Sequence, residues 1–392
     1  MAHQLKMLIL IYSLLTMGLV QAETDKNRAA FEAYKEFQKK QFHQYITDQE
    51  VAFKLYKNTY RDAFEDFKKN IETVWYKPEV TTKNKWVSYT NKFKQKTVID
   101  FKKGMVTVSQ VVSPKQKVSE VKEVTKKRLL SLNQLTYKKA YKEDPVSQKV
   151  DKVIAKKVAP SLVKTPLVSH RIVPVFATRP KPKDVIIVSK LTKIGKVVTA
   201  TYKLNTKDFS HRVRAVLPDV MRRARIEKVP PALVLAIIEN ESAFNPLARS
   251  YVPAYGLMQV VPRSAGKDAS KYLYGKEMLL SSAYLYTPSK NIMVGTAYLH
   301  ILNYNYLRKI KHPDARLYCT IAAYNTGSGN VAKTFTGKYS VTRAAKVINQ
   351  KSPEQVYAEL ETNLPYDETK HYLKKVFKSY QKYTKLVVNH AQ

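Results

Sequence analysis

The sequence predicts an α+β protein in two parts, an N-terminal α+β domain followed by a mostly α-helical one. Three observations lead there. Residues 26–74 contain neither proline nor glycine and carry aromatics at spacings of three and four. Between Trp75 and Asn205, β-branched runs alternate with turn signals. Beyond residue 205 long apolar helical runs dominate, and seven of the ten glycines fall between 231 and 337. With 392 residues and a 44% hydrophobic fraction, the chain has room for two domains with real cores, which excludes wholesale disorder.

The chain opens with a basic start, an apolar run from Met7 to Val20, and small residues at Val20 and Ala22. This pattern reads as a signal peptide over residues 1–22, cut after Ala22. Its apolar core is 14 residues long, against the roughly 20 that a bilayer-spanning helix needs. The expected location is exported and periplasmic, peripheral to the outer membrane, with retention of the segment as an anchor as the alternative. No cysteine lies near the cut to carry a lipid. The one cysteine, Cys319, sits in an apolar run and reads as a small buried hydrophobe.

Residues 23–74 form the predicted amphipathic helix, with Phe31, Tyr34, Phe37, Phe42, Tyr45, Phe53, Tyr56, Tyr60, Phe64 and Phe67 on one stripe. Such a stripe packs on its own domain or on a partner helix; contact with sugar is the sharper alternative. Residues 75–205 form the basic N-terminal domain. Thr97–Phe101 and Met105–Ser109 read as strands around a Lys103-Gly104 turn, and 185–190 and 197–204 as further strands. Pro145 to Pro182, rich in proline and lysine with Asp151 as its one acid, reads as irregular connection.

The formal net charge of +38 divides into +23 before residue 206 and +15 after it. A field of that sign attracts polyanions such as nucleic acid, anionic lipid or an acidic cell wall. Export argues against nucleic acid and points the basic N-terminal domain toward an anionic envelope surface.

The chemistry concentrates in residues 206–392. Pro230-Pro231 starts a helix in which Leu233, Ile237 and Glu241 fall at i, i+4 and i+8. Glu241 thereby extends an apolar stripe, where desolvation raises a carboxyl pKa and makes a general acid that keeps its proton near neutrality. Glu239, about 200° around the helix, is expected to face solvent. Asn245-Pro246 ends the helix, and Ala254–Gln259 brings the chain back past the glutamate, offering the Gln259 amide. A further apolar helix ends in Tyr324-Asn325 and another glycine-bearing loop. There Tyr324 could stack on a sugar and Asn325 hold an N-acetyl amide, or the pair could simply cap the helix.

Five segments in order carry a family resemblance: ENESAFNP, AYGLMQV, NIMVGTAYL, AAYNTGSGNV and YDETKHY. Together they resemble the lytic transglycosylases, which cleave bacterial cell-wall glycan on a lysozyme-like fold. IETVWYKPEV, KWVSYTNKFKQKTVIDFKKGMVTV and ATYKLN further resemble a membrane-bound branch of that family. That similarity runs from about residue 64 and is patchy between 110 and 195. The helix at 26–63 looks like an addition, and the lipid-bearing cysteine of that branch is missing.

The resemblance implies that peptidoglycan glycan strands are the substrate and that Glu241 is the single general acid and base. It would cut the β-1,4 bond between N-acetylmuramic acid and N-acetylglucosamine without water, leaving a 1,6-anhydro end. By the same resemblance Ser242 and Gln259 orient the acid or the sugar, and Met258, Tyr324, Asn325 and Tyr372 line the subsites. No metal or cofactor is called for. No second carboxylate declares itself: Asp268 and Asp314 lie outside the matched segments, and Asp367 lies far along the chain. Two readings stay open beside this one, a lysozyme-like hydrolase using the same glutamate and a non-catalytic basic wall-binding scaffold.

Overall fold

The computed structural model describes residues 25–164 and 171–391. The predicted signal peptide at 1–22 lies outside the described residues. Helix α1 runs Asp25–Glu72. Three strands follow, β1 Lys85–Thr90, β2 Gln95–Asp100 and β3 Met105–Val111. Next come α2 Val118–Ser131, α3 Tyr137–Lys142 and α4 Pro145–Lys157, then the short strand β4 Val163–Lys164. Strands β5 Ile186–Thr192 and β6 Gly195–Lys203 complete the N-terminal part.

Helices then take over: α5 Thr206–Glu227, α6 Pro231–Ser242 and α7 Ala265–Tyr274. After β7 Leu279–Leu280 come α8 Ser282–Leu285 and α9 Pro288–His300, which continues into a π-helical turn at Ile301–Tyr306. The chain ends with α10 Pro313–Thr326, α11 Ser328–Thr336, α12 Val341–Ile348, α13 Pro353–Asn363 and α14 Asp367–Ala391.

Five strands form an antiparallel sheet in the order β1-β2-β3-β6-β5. The predicted hairpin is β2–β3, paired from Gln95 opposite Gln110 to Asp100 opposite Met105. Its turn needs a left-handed residue, supplied by Gly104 at φ +64°, and the Asp100 carboxylate accepts from the Lys103 amide. Strand β1 was not read from the sequence. Alternation puts Ile99, Val106, Val108 and Ala200 on the covered face, against Leu129 of α2. That core also takes in Ala243 and Leu247, so the sheet domain closes directly onto the loop that follows α6.

Residues 145–157, expected to be irregular, are helical. The physical reason is that Pro145 occupies the first turn, where no amide donor is lost, while Asp144 caps the end by accepting from the Ser147 amide. Asp151 on this helix is buried and accepts from the Ser282 amide and hydroxyl, the Ala283 amide and Tyr141.

Helix α1 divides its aromatic stripe. Phe53, Tyr56, Tyr60, Phe64, Phe67 and Ile71 are buried in one core with α4 and the C-terminal helices, whereas Phe31, Tyr34 and Phe37 are exposed. At the centre of the buried half lies Arg249, whose Nη1 donates to both carboxylate oxygens of Asp144 at 2.7 and 2.9 Å. The guanidinium also lies 6.0 Å from the Tyr60 ring and 5.9 Å from the Phe64 ring. Tyr56 donates to the Tyr255 hydroxyl at 2.7 Å beside it. The ion pair therefore joins the start of α4 to the loop carrying Arg249, and the guanidinium packs on the rings of α1.

Removing one partner of a buried pair strands the other charge away from water. Asp144→Ala should destabilise the protein by about 3–5 kcal/mol, read as a lower denaturant midpoint in equilibrium unfolding. An unchanged midpoint would show that this pair does not hold the segments together.

Candidate active site

Helix α6 is buried on every side from Ala232 to Ile238. Its last turn surfaces, and Glu239, Asn240 and Glu241 are half-buried. Helix α14 lies across it: Asn240 Nδ2 donates to Ser379 at 3.0 Å, and Lys382 pairs with Glu239. Glu239, expected to face solvent, is thus largely covered and neutralised by a lysine.

Ala243 and Phe244 then adopt left-handed φ of +51° and +60°, which turn the chain sharply off the helix end. Non-glycine residues occupy that region at a cost of roughly 1–2 kcal/mol each. Packing retains them, with Ala243 in the sheet core and Phe244 against Phe209 and Tyr383. Asn245 fixes the rest of the turn by accepting from the Leu247 amide at 3.0 Å.

The returning loop is clamped by Asn291 of α9. Its Oδ1 accepts from the Met258 amide at 2.8 Å, and its Nδ2 donates to the carbonyls of Tyr255 and Leu285 at 2.7 and 2.8 Å. A Cβ on Gly256 would sit 2.4 Å from that Nδ2, and one on Gly295 would sit 2.5 Å from the Met258 sulfur. These two glycines exist to let the loop and α9 approach.

The result is a cleft of about 870 Å³ lined by Lys83, Glu241, Gln259, Tyr324, Asn325 and Glu368, among others. Burial pushes the Glu241 carboxyl up to about 7; Tyr372 and Lys83 pull it down, and the Glu368 charge pushes it further up. The Tyr372 hydroxyl is buried beside the acid without closing a regular hydrogen bond. Gln259, at φ +46°, donates to the Gly256 carbonyl at 3.0 Å, while its Oε1 has no partner. Tyr324 donates to the Met258 carbonyl at 2.8 Å, and Asn325 Oδ1 accepts from Thr369 at 2.7 Å.

The structure brings Glu241, Gln259, Tyr324, Asn325 and Tyr372 together. It turns the other two predicted residues inward. The Ser242 hydroxyl is buried and donates back to the Ile238 carbonyl at 3.0 Å, because its position on the helix faces the core. The fully buried Met258 packs on Gly295 and contributes its carbonyl to hold Tyr324. Sequence reasoning set Asp367 aside as distant, yet it lines the cleft, paired with Lys370; it missed Lys83 and Glu368 as cleft charges, and Asn291 as the clamp. The last two lie inside segments quoted for the resemblance; Lys83 arrives from the N-terminal part and carried no signal.

Two protein-family models match the chain. The transglycosylase SLT domain covers residues 220–347, and the N-terminal domain of membrane-bound lytic murein transglycosylase C covers residues 40–161. The second match begins within α1, earlier than the resemblance read from about residue 64. A membrane-bound lytic murein transglycosylase C from Actinobacillus pleuropneumoniae serotype 5b is 33% identical over 335 residues, covering 81% of this chain and 85% of that one. The protein of the same description from Serratia proteamaculans is 40% identical over 204 residues, 51% and 56% of the two chains. Among solved structures, an inactive mutant of the lytic transglycosylase Slt from Pseudomonas aeruginosa aligns with a TM-score of 0.35 and 26% identity. That alignment covers 46% of this chain and 25% of the other.

The raised carboxyl has a consequence for stability. The folded protein holds the Glu241 proton more tightly than the unfolded chain, whose ordinary value is 4.5, so stability declines as pH rises from there to about 7. Glu241→Gln removes the titration. Between pH 4 and pH 8 the variant should gain roughly 3 kcal/mol on the parent, measured by denaturant unfolding at both values. A difference that stays constant with pH would contradict the raised pKa.

Proposed function

We propose a mechanism for a chain that belongs to the family of membrane-bound lytic murein transglycosylase C and is a lytic transglycosylase of peptidoglycan: Glu241 acts as its single acid and base. Protonated, Glu241 donates to the glycosidic oxygen between N-acetylmuramic acid and N-acetylglucosamine as the C1–O bond breaks. Left as a carboxylate, it takes the proton of the muramoyl 6-hydroxyl, whose oxygen closes on C1. One bond breaks, one forms, the glutamate ends as it began, and no water is consumed.

The observation that carries this reading is a carboxyl pushed up to about 7 at the wall of an open cleft. Near neutral pH both of its protonation states are then accessible, as a group serving in both roles requires. The unpartnered Gln259 Oε1 suits a sugar hydroxyl or N-acetyl N–H. Tyr324 and Tyr372 supply wall around the acid, and Asn325 reaches the cleft from its rim.

Asp367 and Glu368 both line the cleft with Glu241; Asp367 pairs with Lys370, so Glu368 gives the hydrolase reading its specific support. Hydrolases of such bonds use two carboxyl groups. In the mechanism proposed here the charge of Glu368 instead helps keep Glu241 protonated. We also place the enzyme outside the cytoplasm, peripheral to the outer membrane, with the basic N-terminal domain toward an anionic envelope surface. The +23 charge before residue 206 supports that placement. Among the described residues no helix is long and apolar enough to cross a membrane.

Mass spectrometry of purified sacculi digested by the parent, Glu241→Gln and Glu368→Gln tests the mechanism. The parent should release fragments one water lighter than hydrolysis products. Glu241→Gln should lose activity by at least about 10³-fold, while Glu368→Gln keeps anhydro products. Hydrated products, or an equal loss on removing Glu368, would transfer the assignment to the hydrolase.

A further inference from the structure

Behind the loop that follows Glu241 lies a second cavity of about 610 Å³, between the sheet domain and the helical domain. Phe244, Pro246 and Leu257 form one wall of it, on the face of the loop away from the catalytic cleft. Arg212 of α5 lines this cavity and is 2% exposed. Its Nε and Nη1 have no hydrogen-bond partner, and it forms no ion pair among the described residues.

The neighbours of Arg212 compensate its charge only in part: the nearby Asp208 carboxylate raises its proton affinity but makes no ion pair with it. Asp208, one turn earlier, spends its carboxylate on backbone, with Oδ1 accepting from Ala177 at 2.7 Å and Oδ2 from Asn205 at 2.8 Å. The Phe101 and Phe209 rings, 5.4 and 5.6 Å from the guanidinium, hold its plane without satisfying its N–H groups. The one carboxylate among the cavity's lining residues, Asp219, is bound to Arg222. Residues 165–170, outside the described set, contain no acid. Burial lowers the Arg212 pKa to about 10 against the opposing pull of the Asp208 charge, which leaves it a cation at neutral pH.

A buried cation whose N–H groups are unmet is costly, and an anionic ligand is one way to offset that cost. A planar guanidinium fork matches a carboxylate. Asn133, Thr287 and Ser289 add polar groups suited to peptide amides, and Val173 and Leu257 add apolar surface. The volume lies in the range of small-ligand sites.

We propose that this cavity binds a carboxylate of the peptide stem of peptidoglycan, with Arg212 as its anion receptor. The choice of peptide rests on the substrate reading above. An occupant would press on Phe244 and Leu257, which belong to the loop that returns from Glu241 to Gln259. Stem-peptide binding would thus brace the loop that shapes the cleft.

The test is calorimetric titration of the purified full chain with the free tetrapeptide L-alanyl-γ-D-glutamyl-meso-diaminopimelyl-D-alanine. Its carboxyl-amidated form, acetate and inorganic phosphate serve as separate arms. The parent should bind the tetrapeptide, Arg212→Met should weaken it by at least about tenfold, and Arg212→Lys should lie between. Amidation should abolish binding. No binding to the parent, equal binding by Arg212→Met, or equal binding of the amidated peptide would overturn the proposal. Acetate or phosphate binding as tightly as the peptide would overturn the peptide assignment. If Arg212→Met does not fold, Arg212→Lys decides, and undiminished affinity there counts against it. Glu241→Gln should bind the tetrapeptide like the parent, so a failure of the catalytic assignment, read on sacculi, is separable from a failure here.

Discussion

An acid that keeps its proton near neutral pH needs water thinned out around it, yet a glycan must still reach it. For Glu241, the acid we propose, that constraint is met at one helix end. Helix α6 is enclosed on all sides up to Ile238 and surfaces only in its last turn, so Glu241 stands on an apolar floor at a cleft edge. Burial is the largest influence on its carboxyl. Much of the surrounding architecture keeps that turn in place: the sheet core packs Ala243 and Leu247, Phe244 lies against Tyr383 of α14, and Asn291 clamps the returning loop.

The N-terminal part is integral to this arrangement. Asn245 Nδ2 donates to the Lys83 carbonyl, and the Arg249 amide to that of Thr82, so the segment before β1 is bound to the loop after the acid. Lys83 then contributes its charge to the cleft, opposing Glu368 in setting the acid's proton affinity. On the far side, Arg249 ties α4 to the same loop through Asp144 and packs on the Tyr60 and Phe64 rings of α1. The buried half of α1 serves this packing, and its exposed aromatics at Phe31, Tyr34 and Phe37 do not.

Sequence alone singled out Glu241, and the reason it gave fits the structure only in part. The stripe of Leu233, Ile237 and Glu241 suggested an amphipathic helix, but α6 is buried all round; what distinguishes Glu241 from Glu239 is that the cleft opens on one side and α14 with Lys382 covers the other. Gln259, Tyr324, Asn325 and Tyr372 were legible because their motifs occur in order. Ser242 and Met258 carry the same motif signal, yet their side chains serve packing, a distinction of side-chain direction that spacing does not encode. The helix at 145–157 was misread because proline was taken as a breaker, where it begins a helix capped by Asp144. Lys83 and Arg212 were invisible for a different reason. Their significance depends on which residues folding brings beside them.

The most direct measurement is the titration of Glu241 itself, followed through its side-chain carboxyl carbon by NMR on ¹³C-glutamate-labelled protein, with Glu241→Gln identifying the resonance. The account predicts a midpoint near 7, as burial pushes the carboxyl up from its ordinary 4.5. A midpoint near 4.5 would mean that Glu241 is ionised at neutral pH and cannot serve as the acid.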